Sequence, residues 1–320
     1  MPAVKVVILG YGFIGNIHLS AYQKMNDVEV AGIYSTTKTG RIEGIPVYND
    51  LDECLEQADV VDICLPTFMH REVFEKAVAK GKHIFLEKPM AHTEEDCRFM
   101  LEQEQRSDVK VMVGQVLRYF PEYRQLKENI DPEKPASSLL SRRSQLPVSA
   151  KNWSLERKNS GGVILDLLLH DIDFARWAFG PVTRIFAQSD TEHYYALLTL
   201  RHENGSITRL EGSWRYDGGF VQEAEIAQEN ELFTYNSQDV LPLQVHKNIS
   251  ASKDSTEIPA VLLRDDPWYL ELREFIDAIR NDRPVPITLE DAYESTRVAL
   301  LALKSADEKR PISLVKELNT

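Results

Sequence analysis

The chain has 320 residues, a length typical of about two domains. Its 50 acidic residues outnumber its 37 basic ones and give a formal net charge of -13, which would repel nucleic acids and anionic membrane surfaces. No apolar run approaches the ~18 residues of a membrane span, no signal peptide is evident, and Cys54, Cys64 and Cys97 show no paired spacing. We therefore expect a cytoplasmic protein with reduced thiols that binds neither nucleic acid nor membrane.

Short apolar runs alternate with helical patterns over the first third of the chain. Runs rich in β-branched residues, typical of buried strands, lie at 4–9, 28–33, 60–65, 83–86 and 110–116. Helical patterns lie between them at 14–25, 51–57, 71–80 and 93–106, the last with Thr93 as its N-cap. Strands that alternate with helices predict a parallel, doubly wound α/β sheet, and we place this N-terminal domain at residues 1–118.

The pattern changes beyond residue 118. A helix at 122–129, a polar link at 131–138 and a strand at 139–145 precede a long predicted helix at 162–179. Strand-like runs then follow one another at 184–189, 194–201, 206–214 and 223–227, with a strong hairpin signal at Asn204-Gly205, and two helices follow at 268–281 and 289–307. Consecutive strands without intervening helices predict an antiparallel sheet in an α+β domain, which we place at residues 119–320.

The turn after the first strand carries the pattern Gly10-x-Gly12-x-x-Gly15, with Phe13 and Ile14 before the last glycine. Gly10 permits a tight turn, Gly12 lets the backbone approach a pyrophosphate, and Gly15 allows close packing of helix on strand. The helix N-terminus offers N–H groups and a positive dipole end to phosphates. We expect a nicotinamide dinucleotide here; the alternative is a plain turn whose glycines serve packing alone.

The end of the second strand is where such a site reads the 2′ position of the cofactor. An enzyme specific for NAD usually has Asp or Glu there, about 20 residues after the glycines. This chain instead has Ser35, Thr36 and Lys38. Hydroxyls and an ammonium group would hold a 2′-phosphate that a carboxylate would repel, so the sequence favours NADP over NAD. A tolerant NAD site and a solvated loop also fit this segment.

Lys88 follows a buried strand as part of Glu87-Lys88-Pro89. Ligands of open α/β sheets bind at that edge. A half-buried lysine beside a cofactor can donate to a substrate hydroxyl or carbonyl and can serve as an acid or base. The alternative is an exposed lysine paired with the neighbouring glutamate.

Three polar residues interrupt the apolar helix pattern at 162–179. Asp166, His170 and Asp173 are spaced i, i+4, i+7 and should share one helix face. A histidine beside a carboxylate is oriented and made more basic, as a general base requires. A satisfied, buried histidine is one alternative and a metal site another; because no further His or Cys clusters nearby, we expect no metal.

At these residues the chain resembles the Gfo/Idh/MocA family of NAD(P)-dependent oxidoreductases. The resemblance covers nearly the whole chain and rests on the glycine turn and on segments 66–70, 81–89 and 161–173. It implies a Rossmann domain followed by an α+β domain whose open, mostly antiparallel sheet packs members into homo-dimers or homo-tetramers. It also implies that the substrate is a sugar, an inositol or another polyol.

The resemblance further implies roles for individual residues. Lys88 would hydrogen-bond the reacting hydroxyl, His170 would accept or donate its proton, and Asp166 would bind the substrate or orient the pair. Glu87 would lie near the nicotinamide ribose. The remaining cofactor residues would be Leu65, Pro66, Thr67 and His70, and the remaining substrate residues Arg118 and Tyr119, which match an Arg–aromatic pair of the family.

The segment before the long helix also offers candidates for the substrate pocket. Trp153 and the basic residues Arg142, Arg143, Lys151 and Arg157 could form its outer wall. A solvated basic loop fits these residues equally well.

The chain departs from the family pattern at three places. Leu168 stands where the family usually has glycine, the hairpin at 227–231 lacks its glycine, and the link at 131–138 lacks a Gly-x-x-Gly pattern. Lys88, Asp166 and His170 are all present. We therefore expect a dehydrogenase that transfers a hydride between NAD(P) and a polyol. A cofactor-binding regulator without catalysis and a non-redox glycosidase that retains NAD are the alternatives.

Overall fold

The computed structural model describes residues 2–146, 153, 155–239, 243–247 and 266–314. These residues form two compact units. Unit 1 combines the described residues of 1–119 and 264–294, and unit 2 those of 120–263 and 295–320. None of the helices in the described ranges combines the length and apolar character that crossing a membrane requires.

The strands and helices up to residue 119 alternate, as the sequence predicts. In chain order they are β1 (Val4–Leu9), α1 (Phe13–Tyr22), β2 (Val28–Tyr34), β3 (Arg41–Ile42), β4 (Ile45–Tyr48), α2 (Leu51–Glu56), β5 (Val60–Ile63), a 3₁₀ helix (Thr67–Met69), α3 (His70–Ala79), β6 (His83–Glu87), α4 (Glu94–Gln105), β7 (Val111–Gly114) and a second 3₁₀ helix (Val116–Tyr119). The predicted N-cap is confirmed, because the Thr93 side chain accepts the N–H of Asp96 at the start of α4.

The first sheet has the strand order β3-β4-β2-β1-β5-β6-β7. All of its pairs are parallel except β3 with β4, so the predicted doubly wound sheet is confirmed. The chain leaves β1 toward β2 on one side and later returns to β5 on the other. The carboxyl end of β1 is therefore the switch point of the sheet, where ligands of such folds bind.

Beyond residue 119 the chain builds a second sheet. The elements are α5 (Pro121–Asn129), β8 (Ser137–Arg143), α6 (Arg157–Ser160), α7 (Gly162–Asp166), α8 (Leu169–Phe179), β9 (Val182–Ser189), β10 (Tyr195–His202), β11 (Ile207–Ser213), β12 (Val221–Gln228), β13 (Glu231–Asn236), β14 (Leu243–Lys247), α9 (Pro267–Arg280), α10 (Leu289–Glu308) and β15 (Ile312–Ser313). The strand order is β14-β13-β12-β8-β11-β10-β9-β15. Only β8 with β11 is parallel among these pairs, so the predicted mostly antiparallel sheet is confirmed.

The position of α9 departs from the expected domain division, which placed residues 119–320 together in one domain. Its apolar residues Leu272, Phe275 and Ile276 are fully buried in the core of unit 1, in one cluster with Ile8 and Phe85. The burial of this apolar face explains why 266–294 belongs to unit 1, although the chain reaches it only after unit 2.

The two faces of the second sheet differ in burial. Along β10, Ala196, Leu198 and Leu200 are buried. The alternate residues point to the other face, where Leu197 is 44% exposed and Ile207 on β11 is 47% exposed. This face therefore leaves apolar side chains in contact with solvent.

Candidate active site

The glycine turn joins β1 to α1 at the switch point of the first sheet. Gly10 has φ +98°, and a Cβ on it would lie 2.7 Å from the carbonyl oxygen of Cys64. A Cβ on Gly15 would lie 2.1 Å from the carbonyl oxygen of Gly10. Any side chain at either position would collide with main-chain atoms, so both glycines are required by the close packing of α1 on the sheet.

Gly12 meets the remaining requirement of a phosphate-binding turn, which is that the backbone be open to the approach of a pyrophosphate. It is the N-cap of α1, and a Cβ there would have nothing within 4 Å. Within the described residues no side chain caps the first turn of α1, and Phe13 is 76% exposed beside it. The helix N-terminus thus presents N–H groups across open space, an arrangement that fits the pyrophosphate of a dinucleotide.

The segment after β2 folds into a tight turn around Ser35. Its hydroxyl oxygen accepts the main-chain N–H groups of Thr37 at 3.3 Å and Lys38 at 3.1 Å, so part of its bonding capacity closes the turn. Thr36 and Lys38 are exposed. The Lys38 ammonium lies 4.7 Å from the centroid of the Tyr11 ring in the glycine turn. A cation, Lys38, therefore borders the glycine turn, and residues 34–38 contain no carboxylate.

The loop after β5 contains Leu65 and Pro66, which are half-buried, and Thr67, which is buried. His70 begins α3 behind this loop and is 1% exposed. Its Nε2 lies 2.8 Å from the carbonyl oxygen of Leu65, and its Nδ1 lies 3.1 Å from that of Pro89. The ring therefore ties the loop after β5 to the loop after β6, a connecting role that the sequence did not indicate.

Glu87 and Lys88 lie at the carboxyl end of β6, two strands from the glycine turn and at the same edge of the sheet. Glu87 is 8% exposed and Lys88 is half-buried. The Lys88 main-chain N–H donates to Oε2 of Glu87 at 3.1 Å, and the Lys88–Pro89 peptide is cis. Neighbouring strands are about 4.8 Å apart, so β1 and β6 are separated by roughly 10 Å, a distance that a dinucleotide can span.

The predicted long helix at 162–179 is interrupted, so that prediction is wrong in one respect. The α7 helix ends at Asp166 and α8 begins at Leu169. At the junction the N–H of Leu168 donates to the carbonyl oxygen of Val163 at 2.9 Å, five residues back, which inserts one residue into the helical ladder. Asp166 and His170 are both half-buried and belong to successive helices, so their spacing alone does not put them on one face.

Asp173, the third polar residue of this segment, has a structural partner. It is 1% exposed, and the Ser295 hydroxyl of α10 donates to its Oδ1 at 2.7 Å. This contact joins α8 to α10 inside unit 2.

Profiles of one protein family match three successive parts of the chain. The profile described as "Oxidoreductase family, NAD-binding Rossmann fold" matches residues 4–115. The profile "GFO/IDH/MocA C-terminal domain" matches 135–232, and "Oxidoreductase family, C-terminal alpha/beta domain" matches 241–314. The chain belongs to the Gfo/Idh/MocA oxidoreductase family.

Relatives of this Gfo/Idh/MocA chain match it over nearly its full length. Myo-inositol 2-dehydrogenase of Thermotoga maritima is 25% identical over 97% of this chain and 98% of its own length. Scyllo-inositol 2-dehydrogenase (NAD(+)) of Bacillus subtilis is 27% identical over 97% and 96%. Levoglucosan dehydrogenase, solved in complex with NADH and L-sorbose, shares the fold with a TM-score of 0.86, 20% identity and coverage of 99% and 100%. An NAD binding oxidoreductase from Klebsiella pneumoniae also shares the fold, with a TM-score of 0.85, 20% identity and coverage of 98% and 100%.

The leucine that this Gfo/Idh/MocA chain has in place of a family glycine faces a glycine on a neighbouring strand. Leu168 replaces the usual glycine at the α7–α8 junction, and Gly212 lies opposite it on β11. A Cβ on Gly212 would lie 2.6 Å from Cγ of Leu168. The leucine side chain is therefore accommodated because the facing strand has no side chain at this point.

The other two departures are joined by one side chain. Gln228, in the hairpin that lacks glycine, accepts the main-chain N–H of Asp131 at 2.9 Å. Its amide donates to the carbonyl oxygens of Asp131 at 2.9 Å and Lys134 at 3.0 Å. The hairpin itself turns with Glu229 at φ +52°, a left-handed conformation that glycine would adopt more readily. Gln228 thus fixes the link at 131–138 to the sheet by side-chain hydrogen bonds.

Three of the four basic residues expected to form a pocket wall or a solvated loop are in ion pairs. Arg142 is 2% exposed and binds Asp171 through two contacts, Nε at 2.7 Å and Nη2 at 3.1 Å, so both expectations are wrong for it. Burial opposes its charge, but Asp171 outweighs this effect and raises the pKa of Arg142. Arg143 pairs with Glu223 and Arg157 with Asp307, and Lys151 lies outside the described residues.

The remaining predicted substrate residues lie as follows. Arg118 is paired with Asp291, Nη1 to Oδ2 at 2.6 Å, and its side chain is 10% exposed. Tyr119 is 2% exposed, and its hydroxyl donates to Glu274 at 2.8 Å. Tyr119 thus anchors α9, and Arg118 anchors the first residues of α10, which belong to unit 1. Trp153 is half-buried, and residues 147–152 and 154 lie outside the described ranges. The substrate roles of all three stay predictions.

Proposed function

We propose that this Gfo/Idh/MocA protein is an NAD(P)-dependent dehydrogenase acting on a CH–OH group of a sugar, an inositol or a related polyol. One observation carries the proposal: a glycine turn open to a pyrophosphate and a half-buried lysine, Lys88, lie at the same edge of one parallel sheet. The names of the inositol dehydrogenases among its relatives support the substrate class.

In the proposed reaction, Lys88 donates a hydrogen bond to the reacting hydroxyl and lowers the cost of removing its proton. His170 accepts that proton in the oxidative direction and returns it in the reductive one. Asp166 binds the substrate or orients His170, and Glu87 lies beside the nicotinamide ribose. When bound, the nicotinamide takes up or returns the hydride. Pro66, Thr67 and His70 support the nicotinamide end of the site, with His70 acting through the two loops that it joins.

The test of this function uses two variants and one control. Lys88→Ala and His170→Ala should each lower kcat by at least ~10² while the Kd of the coenzyme stays near that of the wild type. Lys24→Ala, which removes an exposed lysine two residues after the end of α1, should leave kcat unchanged. Wild-type turnover in both site variants would refute the proposal.

A substrate screen separates this function from its rivals. Purified protein is incubated with polyols, aldoses and cyclitols, and the formation of NAD(P)H is followed by absorbance. Net NAD(P)H formation supports a dehydrogenase. Turnover without net NAD(P)H would indicate an internal hydride cycle of the glycosidase type, and coenzyme binding without any turnover would indicate a regulator.

We further propose that the coenzyme is NADP rather than NAD. Lys38 is an exposed cation beside the glycine turn, and a charge-assisted contact to a 2′-phosphate is worth roughly 1.5–3 kcal/mol. Lys38→Met should therefore weaken NADPH binding about 10- to 100-fold and change NADH binding less than about twofold. Arg41→Met removes another exposed cation of this region and serves as the control. Tighter binding of NADH than NADPH by the wild-type protein would reverse the assignment.

We also propose a cytoplasmic homo-dimer or homo-tetramer that packs through the second sheet. The exposed apolar residues Leu197 and Ile207 lie on one face of that sheet and support this interface. The double variant Leu197→Glu, Ile207→Glu should be smaller than the wild-type protein in light scattering coupled to size-exclusion chromatography. An unchanged mass would argue against packing through this face.

A further inference from the structure

A buried polar cluster lies inside unit 1, beneath the edge that carries the glycine turn and Lys88. It consists of His18 on α1, Asp62 on β5 and Glu87 on β6, with residue exposures of 0%, 0% and 8%. Nδ1 of His18 lies 2.8 Å from Oδ2 of Asp62. Nε2 of the same ring lies 3.3 Å from Oε1 of Glu87, an ion-pair distance outside hydrogen-bond geometry. One imidazole thus stands between two carboxylates.

The cluster also contains a thiol. Sγ of Cys64 lies 3.3 Å from Nδ1 of His18 and 3.4 Å from Oδ1 of Asp62. These three residues are the one group of potential metal ligands among the described residues. The 2.8 Å between nitrogen and oxygen is nevertheless a hydrogen-bond distance, shorter than the roughly 3.3 Å between tetrahedral ligands about 2.0 Å from a metal. The contacts therefore fit a shared proton.

The surroundings of His18 favour its charged form. Burial opposes the charge, but Asp62 together with hydrogen bonds to Asp62 and Cys64 outweighs burial and raises the pKa of His18 well above its ordinary value. The other titratable groups of the cluster are Tyr22 on α1, Glu87 on β6 and Glu271 on α9. The charge of Glu271 contributes to raising the pKa of Tyr22. Phe85 packs edge-on against the His18 ring, with the two centroids 5.6 Å apart.

The Glu87 carboxylate is held from several sides. One oxygen faces His18, and the other accepts the Lys88 main-chain N–H at 3.1 Å. Gly114 on β7 leaves the space that the carboxylate fills, since a Cβ there would lie 3.0 Å from Oε1. This carboxylate therefore links the His18 ring to the main-chain N–H of Lys88.

We propose that His18 is a positioning residue: it holds the Glu87 carboxylate through Nε2, and thereby the main chain of Lys88, while Asp62 fixes the ring through Nδ1. The effect on catalysis rests on the proposed function, because it acts through Lys88. The effect on the Lys88 main chain does not depend on that function and can be measured without a substrate.

Two variants of similar size separate the two contacts of the ring. The amide nitrogen of glutamine reaches the position of Nε2, whereas that of asparagine reaches only the position of Nδ1. His18→Gln thus keeps a donor toward Glu87, and His18→Asn keeps one toward Asp62. Both variants lose the same charge and the same ring. The methylene that asparagine lacks would act on the stability of unit 1 as a whole, so a merely structural role of His18 predicts no difference at the Lys88 amide beyond that at amides far from the cluster.

The first measurement is hydrogen exchange at the Lys88 amide. We expect exchange about tenfold faster in His18→Asn than in His18→Gln, the equivalent of one hydrogen bond to a charged group. The Asp96 amide, which donates to Thr93 away from the cluster, serves as an internal control and should exchange equally in both. Equal Lys88 exchange in the two variants would overturn the proposal.

The second measurement is catalytic. His18→Asn should have a kcat about tenfold below that of His18→Gln, with the substrate KM changed less than about threefold. Equal kcat in both variants, or a change confined to KM, would overturn the catalytic part. If the wild-type protein turns over no substrate, the proposed function fails, and Lys88 exchange alone decides the inference.

A third measurement uses the wild-type protein and needs no stable variant. Nitrogen-15 NMR of the histidine rings should show both nitrogens of His18 protonated at pH 7.5, with the resonances assigned by selective labelling. A neutral His18 ring at that pH would leave one of the two contacts without a proton and would overturn the proposal.

Discussion

The ion pair between Arg142 and Asp171 should have a large and unusual effect on stability. Both side chains are at least 98% buried, and two contacts of 2.7 and 3.1 Å join them, with Tyr123 3.4 Å from Nη2. Removal of one partner leaves a buried charge without compensation, which costs about 3–5 kcal/mol. Arg142→Met or Asp171→Leu alone should therefore lower the free energy of unfolding by about that amount.

The double variant is the informative one. Replacing both partners by apolar residues leaves no buried charge, so Arg142→Met, Asp171→Leu should be close to the wild-type protein in stability and clearly more stable than either single variant. Urea unfolding followed by tryptophan fluorescence suits this test, because three of the four tryptophans lie in unit 2. With an m-value of roughly 2–3 kcal/mol/M, each single variant should lose about 1–2 M in its midpoint.

An exposed ion pair of the same unit provides the matched control. Arg215 pairs with Asp190 at 2.8 Å and is 52% exposed, so Arg215→Met should lower the free energy of unfolding far less than Arg142→Met. Additive losses in the double variant of the buried pair would refute the reasoning. So would losses in Arg142→Met as small as those in Arg215→Met.

Three further predictions follow from glycine packing and from titration. Gly15→Ala should destabilise unit 1 by about 1–3 kcal/mol because its Cβ would meet a backbone carbonyl. Gly12→Ala should leave Tm unchanged and weaken coenzyme binding about tenfold or more. Equal Tm values of the two variants would contradict this. Gly212→Ala should lower Tm by collision with Leu168, and Leu168→Ala should restore part of the loss, as scanning calorimetry would show. Burial lowers the pKa of His70 below its ordinary 6.5, so on acidification the unfolded chain binds a proton first, and the free energy of unfolding should fall from pH 7 to 5. His70→Gln should lose this part of the pH dependence; an unchanged slope would count against it.

The sequence predicted most of the first sheet because its signals are local. Apolar runs of strand length alternate with helical patterns, and Gly10, Gly12 and Gly15 follow the first run directly. The strands β3 and β4 were missed, since they have only 2 and 4 residues and Pro46 interrupts the short apolar segment of β4. Thr93 could be identified as a cap because its partner lies three residues away.

The residues that sequence reasoning missed depend on distant partners. Asp62 interrupts an apolar strand, and that signal was visible, but its partner His18 is 44 residues away. Arg142 looked like any basic residue near a loop, because Asp171 is 29 residues farther along the chain. The break between α7 and α8 likewise involves Leu168 packed against a strand that follows much later. Spacing along the chain carries no information about such pairs.

The contacts of Gln228 limit how this protein can exchange parts with its relatives. The side-chain amide of Gln228 holds both ends of the 131–134 turn. The hairpin between β12 and β13 and the link before β8 therefore depend on each other structurally. A chimera that imports only the hairpin of a relative would remove three hydrogen bonds and leave the link without its anchor. Recombination between family members should therefore succeed when the two segments, nearly a hundred residues apart, are transferred together.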